Sequence, residues 1–257
     1  MNTLFSQTSI QLDEGVQFGL GLFETIAVVQ NQAIFPEKHL ARLDRSAAFL
    51  KLPSCAERGL TAAALNDYLL AHPLPTGSAL KILYTRDNLL FLPRSNPYTE
   101  ATYKTGFCMD FSTVRRNETS PLVAHKTMNY GDCILEKRDA AAHGLQERIF
   151  LNTKGQICEG TVTNFFAVCA GKLYTPSISC GLLPGILREY LIETYEVTEA
   201  VLYPKDLISC EECFVTNSLM GIMPVRQIGN ITFSTHTEAI RLQQEYQHSF
   251  LRIGSFS

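Results

Sequence analysis

The sequence predicts a mixed α/β protein (α+β in its ordering of elements) of two domains, with a largely antiparallel sheet in the second. Three observations carry this. Helical apolar stripes stand beside short β-rich runs; the turns "TKG" and "GK" join the later strands in a meander; and "RRNETSP", polar and closed by a proline, interrupts the chain near its middle. The expected organisation is a small N-terminal domain over 1–113, a linker over 114–120 and a larger C-terminal domain over 121–257. A doubly wound topology is disfavoured by the meander.

In order along the chain, "FETIAVVQNQAIF" reads as two β-rich runs around Gln30-Asn31-Gln32, a hairpin. In "EKHLARLDRSAAFLKL", Leu40, Leu43, Ala47 and Leu50 recur at helical spacing, Pro36 stands just before the start, and Lys38, Arg45 and Lys51 lie mostly off the stripe. "AERGLTAAALNDYLLAH" is a second helix ending at Pro73, "ALKILYT" a buried strand, and "YTRDNLLFLPRSNP" a loop after it. "FCMDFSTV" is a strand ahead of the linker. Beyond it, "YGDCILEKRDAAAHG" is a helix with Gly144 past its end, where a left-handed cap favours glycine. "ERIFLNT", "QICEGT", "NFFAVCA" and "LYT" are strands, and "GILREYLIETY" and "HTEAIRLQQEYQHSF" are helices.

Composition narrows the function. With 257 residues, 46% of them hydrophobic and 18% charged, the chain can bury a large core, which argues against disorder. A formal net charge of -3 supplies no basic face for nucleic acid or an anionic membrane. The N-terminal "MNTLFSQTSIQLDEG" has neither a basic start nor an apolar run, and no segment reaches membrane-spanning length. A soluble, cytoplasmic protein acting on a small molecule is expected. The eight cysteines are then expected as reduced thiols. Cys210 and Cys213 of "CEEC" have CxxC spacing, but without a second such pair or a nearby histidine no metal site is indicated, and Cys213 is expected in a strand core.

The common catalytic motifs are missing or misplaced. "FGLGLFET" has Glu24 where a dinucleotide fingerprint needs its third glycine, and it runs into a strand rather than a helix. No GxxxxGK[ST], HExxH or GxSxG occurs. The chemistry-bearing stretch is "AHKTMNYGDC". Lys126 in it is either a solvated charge or an amine placed to react, and a reacting amine must be neutral part of the time. Two further features give it company. "ICEGTVTNFF" sets Glu159 among strand residues, where a carboxylate needs a partner such as a pyridinium nitrogen. "GLLPGILRE" sets Gly185 and the following backbone amides at a helix start, a place for phosphate.

The ordered set "FGLGLFETI", "HLARLDRSAAFL", "HKTMNY", "LNTKGQICEGTVTNFFAV", "LYTP", "GLLPGILRE" and "CFVTNSLMGIMPV", from about Gly15 to Val225, resembles the class IV (fold type IV) pyridoxal-phosphate aminotransferases. That family includes branched-chain and D-amino acid aminotransferases and 4-amino-4-deoxychorismate lyase. The resemblance implies a two-domain α/β protein of the D-amino acid aminotransferase type, a homodimer, with pyridoxal 5'-phosphate between the domains. By position in the motifs, Lys126 looks like the lysine that bonds the cofactor aldehyde and then serves as the base, and Glu159 like the partner of the pyridine nitrogen. Arg42 looks like a phosphate arginine, its alternative being an ordinary helix-surface charge; Tyr130 looks like the tyrosine at the ring oxygen, its alternative a half-buried residue at a helix start. The amides of Ile186 and Leu187 and the hydroxyl of Ser218 are implied at the phosphate, although many members have threonine where Leu187 stands; Asn164 is matched but reads as structural.

Within the family, "VTNSLMGIMPV" resembles the "NALMPVMPV" of the lyases, so Asn217, Leu219 and Met220 lean towards elimination of pyruvate to give 4-aminobenzoate, a step of folate biosynthesis. An aminotransferase for D- or branched-chain amino acids is the enzymatic alternative, and a cofactor-free binding or scaffold protein the non-enzymatic one. Arg86 and Arg94 are candidates for substrate carboxylates or plain loop charges.

Overall fold

The computed structural model describes residues 9–253, the last four of these by backbone alone; the ends that the expected domains include, 1–8 and 254–257, lie outside the described residues. Two compact units emerge. The first runs to Pro97 and takes in His125–Asn129, and the second holds Tyr98–Ala124 and Tyr130–Ile253.

In the first unit a short helix, α1 (Glu14–Phe18), precedes β1 (Leu22–Val29), β2 (Gln32–Ala33), α2 (Pro36–Leu50), α3 (Ala62–Ala71), β3 (Ser78–Tyr84) and β4 (Leu89–Ser95). The strands pair antiparallel in the order β2-β1-β3-β4. The expected hairpin is there, turned by Gln30 and Asn31 in left-handed backbone. Leu40, Leu43 and Ala47 of the α2 stripe pack on Ile26, Val28, Leu80, Ile82 and Phe91 of the sheet. α3 begins later than expected: the Thr61 side chain accepts from the Ala64 amide, and that cap fixes the start. The stretch expected as a loop after β3 is instead β4, whose Pro93 sits on the outermost strand, where a missing donor is tolerated.

In the second unit follow α4 (Glu100–Thr105), β5 (Phe107–Arg116), α5 (Gly131–Ala142), β6 (Glu147–Asn152), β7 (Ile157–Gly160), β8 (Asn164–Cys169), β9 (Lys172–Pro176), α6 (Ile186–Thr194), β10 (Val197–Ala200), β11 (Glu212–Asn217), β12 (Gly221–Ile228), β13 (Ile231–Thr232) and α7 (Thr237–Ile253). The sheet order is β10-β9-β8-β11-β12-β5-β6-β7, and a β7–β8 pairing at Glu159 and Asn164 closes six of these strands on themselves. Most pairs are antiparallel as expected, but β5 runs parallel to both β12 and β6, and β10 parallel to β9. Phe107, Met109, Ile149, Phe165, Val215, Met223 and Val225 form its core.

The 114–120 stretch lies inside this unit rather than between units, because β5 finds its backbone partners in β12 and β6, far along the chain. Cys213 is buried on β11 as expected, whereas Cys169 and Cys210 form a disulfide, contrary to the expectation of eight thiols. β8 and β11 are neighbours with Val168 opposite Glu212, which brings the ends carrying these two cysteines together.

Candidate active site

Lys126 belongs to the first unit, and its place is set by strand pairing. β2 covers only Val28 and Val29 of β1, so the start of that edge is open to another strand. Residues 126–128 take it: the Phe23 amide donates to the Lys126 carbonyl at 3.0 Å, the Met128 amide to the Gly21 carbonyl at 2.8 Å, and Leu22 bridges Thr127. Gly21 permits this approach, since a Cβ there would meet Met128 Sδ at 2.6 Å. The glycines of "FGLG" thus serve close packing rather than a dinucleotide. Lys126 Nζ lies 4.4 Å from the centre of the Phe23 ring. His125, just before it, is held by α2: Nδ1 is 2.9 Å from Ser46 Oγ, and its ring stacks on Phe49.

α2 also carries Arg42, which is 3% exposed and so is no ordinary surface charge. Its Nε and Nη2 donate to the two oxygens of Glu24 on β1 at 2.8 and 2.6 Å, and His39 Nδ1 lies 2.7 Å from Glu24 Oε2. Burial, the largest influence on Glu24, pushes its pKa up, but Arg42 and His39 outweigh it and hold the carboxyl at about 2. Burial pulls His39 down, helped by the charges of Arg42 and Lys126, so the imidazole is neutral near pH 7. Arg42 and Lys126 therefore sit in one electrostatic neighbourhood of the first unit.

In the second unit, Glu159 is buried on β7. Arg116, at the end of β5, donates to Oε1 at 2.7 Å, and the Leu183 amide to Oε2 at 3.1 Å. The Arg116 guanidinium also reaches Cys133 Sγ at 3.3 Å and lies over the Phe150 ring. Burial pulls the Arg116 pKa down, yet Glu159, Cys133 and Tyr130 together lift it above the ordinary arginine value. Tyr130 donates its hydroxyl to the Thr161 carbonyl at 2.9 Å; burial first, then Cys133 and Glu159, raise its pKa, so the phenol stays protonated.

Ile186 and Leu187 open α6, whose N-cap, Gly185, offers no side chain to their amides. A Cβ on Gly185 would come within 1.9 Å of Asn164 Oδ1, while Asn164 Nδ2 donates to the Leu183 carbonyl at 2.8 Å. Asn164 is thus the floor of the 183–185 turn, the structural role expected of it. Ser218 follows β11 in a turn held by Asn217, whose Oδ1 accepts the Leu219 and Met220 amides at 3.0 and 2.7 Å.

Sequence reading missed Glu24, His39, Arg116 and Glu147. Of these, Glu24 and Glu147 left a signal: each is an acid at an inward position of a strand pattern, Leu22-Glu24-Ile26 and Glu147-Ile149-Leu151.

The family model described as amino-transferase class IV matches residues 21–228. The chain belongs to the class IV aminotransferase family. A Thermotoga maritima protein named a probable branched-chain-amino-acid aminotransferase is 30% identical, over 82% of this chain and 78% of its own length. The Bacillus subtilis aminodeoxychorismate lyase is 24% identical, over 88% and 83% respectively. A Legionella pneumophila crystal structure, provisionally named 4-amino-4-deoxychorismate lyase, superposes with a TM-score of 0.84 at 27% identity and covers 95% of this chain and 96% of its own. The class IV chain is an enzyme of fold type IV, and the cofactor of its class is pyridoxal 5'-phosphate.

Proposed function

We propose that this class IV enzyme is a 4-amino-4-deoxychorismate lyase. Pyridoxal 5'-phosphate fits the groups present. Glu159 is a buried carboxylate already oriented by two donors, as a pyridinium partner must be. The first turn of α6 has no side-chain cap, and the glycine before it leaves room for no Cβ. Lys126 would bond the aldehyde, Arg42 with the Ile186 and Leu187 amides and the Ser218 hydroxyl would take the phosphate, and Tyr130 would meet the ring oxygen. When bound, the cofactor supplies the electron sink for the pair left as a proton leaves the carbon bearing the substrate nitrogen. Lys126 is the base that removes that proton. The ether bond to the enolpyruvyl group then breaks, giving pyruvate and 4-aminobenzoate with no oxidant and no acceptor.

One observation favours the lyase over a branched-chain aminotransferase. Thr25 of β1 pairs with Lys81 of β3, so Phe23, Thr25 and Lys81, with Arg94 on β4, share the sheet face turned away from α2 and α3. Lys81 Nζ lies 4.6 Å from the Phe23 ring centre, on the same ring that Lys126 approaches. Burial, then the charge of Arg94, lower the Lys81 pKa. Lys81 beside Lys126, with Arg94 on the same sheet face, suits a dicarboxylate, whereas an aliphatic side chain gains nothing from these charges. Arg94, not Arg86, is the candidate here: both are exposed, but Arg94 shares the face of Lys81, whereas Arg86 donates to the Lys51 carbonyl.

The test mixes cofactor-loaded protein with enzymatically generated aminodeoxychorismate, beside a panel of amino acids with 2-oxoglutarate or pyruvate. Equal release of 4-aminobenzoate and pyruvate without a 2-oxo acid, lost in Lys126→Ala, supports the lyase. Amino transfer without release makes it an aminotransferase, the reading that the Thermotoga relative favours.

The same proposal makes the enzyme a cytoplasmic homodimer on the route to folate, acting on a small molecule and not on nucleic acid or membrane. Among the described residues no helix is long and apolar enough to cross a membrane. Exposed Leu12, just before α1, and Val16 and Phe18 on it are apolar surface that a second copy could cover, which light scattering tests. The Cys169–Cys210 bond argues against a reducing compartment, and thiol alkylation of protein taken from cells decides that point.

A further inference from the structure

Glu147 is wholly buried on β6, and no role in binding cofactor or substrate falls to it. Apart from the adjacent Arg148 amide, which donates to Oε1 at 3.0 Å, its hydrogen-bond donors come from a single turn, the one joining β7 to β8. The Thr161 amide donates to Oε1 at 3.1 Å and the Val162 amide to Oε2 at 3.3 Å. The Thr161 hydroxyl donates to Oε1 as well, and the Thr163 hydroxyl to Oε2 at 3.4 Å. The turn is closed by the Gly160 amide on the Thr163 carbonyl at 2.7 Å.

With these donors committed inward, the carbonyls of the turn receive the two side chains that matter most. The Tyr130 hydroxyl donates to the Thr161 carbonyl at 2.9 Å, and Asn217 Nδ2 to the Val162 carbonyl at 3.3 Å. Tyr130 is the residue assigned to the cofactor ring oxygen, and Asn217 holds the turn that carries Ser218. The same short turn follows directly on Glu159. Lys137 Nζ, 3.7 Å from Oε2, is the carboxylate's cationic neighbour.

We propose that Glu147 is a positioning residue of the active site: by clasping residues 161–163 it fixes the Thr161 and Val162 carbonyls, and through them Tyr130 and Asn217. This rests on the assignment of Tyr130 to the cofactor. A carboxylate suits the task because it accepts on both oxygens, and a turn that directs four donors at one side chain needs an acceptor of that capacity. Glutamine has one acceptor oxygen and would set an NH2 group against an amide or a hydroxyl. It keeps the volume and loses the clasp.

The experiment is a double-mutant cycle on the intact protein with Glu147→Gln and Tyr130→Phe, read as the dissociation constant for pyridoxal phosphate and the visible spectrum of the bound cofactor. Glu147→Gln is expected to weaken cofactor binding about tenfold and to shift the visible band, and to have a clearly smaller effect in the Tyr130→Phe background, where only the route through Asn217 remains. If Glu147→Gln lowers only the melting temperature, with spectrum and dissociation constant unchanged, or if its effect is the same with and without the Tyr130 hydroxyl, the residue is structural and the inference is overturned. Thr161→Val deletes one donor to the clasp without burying a new charge. It carries the same expectation at about threefold should Glu147→Gln fail to fold, and an unchanged spectrum there is equally fatal. Wild-type protein that takes up no pyridoxal phosphate at all refutes the functional reading first, and the positioning role with it.

Discussion

Glu24 makes the acid stability of the first unit a quantitative matter. Its carboxyl sits at about 2, against 4.5 for an unburied glutamate. A group whose folded pKa is depressed contributes stability that is complete above the unfolded pKa and is lost as pH falls through the folded one. The window is therefore pH 5 down to 2. At about 1.4 kcal/mol per pH unit the contribution is about 3 kcal/mol, or a melting temperature lower by about 10 °C at the acid end. His39, depressed by burial, adds a loss of the same sign that begins nearer pH 6.5.

Other carboxylates titrate over the same range, so the quantity to measure is the difference between wild type and Glu24→Gln. The variant leaves Arg42 buried without its anion and is expected to cost about 3–5 kcal/mol at pH 6. Because the glutamine does not titrate, the gap should narrow by about 3 kcal/mol between pH 5 and pH 2, followed by urea unfolding at each pH. A gap that stays constant with pH would show that Glu24 is not held ionised by Arg42 and His39, and would remove the basis for treating Arg42 as a pre-oriented phosphate ligand.

Two further outcomes follow from the second unit. Gly185→Ala sets a Cβ 1.9 Å from Asn164 Oδ1, so the 183–185 turn must shift; cofactor titration should show binding weaker by tenfold or more at a stability cost of about 1–3 kcal/mol, and wild-type affinity would refute the α6 cradle. Arg116→Leu strips Glu159 of its cation and should destabilise the cofactor-free protein by about 3–5 kcal/mol. If the pyridinium nitrogen then takes over as partner, added pyridoxal phosphate raises the melting temperature more in the variant than in wild type, and an equal rise would argue that Glu159 does not face the ring.

Much of the fold could be read from local pattern. The α2 stripe and the β1–β2 hairpin depend on neighbours in sequence, and they form where expected. β4 escaped because Leu89, Leu90, Phe91 and Leu92 are apolar on both faces, which erases the alternation that marks a strand, and because Pro93 reads as a breaker until the strand is known to be outermost. The parallel pairing of β5 with β12 and β6 joins segments that no local period connects, and that pairing moved the unit boundary from 114–120 to Pro97. Cys169 and Cys210 are 41 residues apart, so the CxxC spacing drew attention to the wrong partner for Cys210.

The candidate site shows a sharper version of the same limit. Glu24, Glu147 and Glu159 all stand at inward strand positions where the pattern asks for an apolar side chain, and a carboxylate buried there is costly unless it is fully partnered. Only Glu159 stands out in the sequence, as a carboxylate among the strand residues of "ICEGTVTNFF", and the family resemblance then adds to that reading. The cost applies equally to the other two, and each met it differently: Glu24 with Arg42 and His39, Glu147 with the amides and hydroxyls of one turn, Glu159 with Arg116 and the Leu183 amide. Apart from the adjacent Arg148 amide on Glu147, none of these partners is close in sequence, the nearest standing 14 residues away. An acid that interrupts an apolar strand period therefore marks where the fold has arranged donors in advance. Read that way, the pattern locates Arg42, the turn behind Tyr130 and Glu159, the groups proposed for the cofactor, from three glutamates.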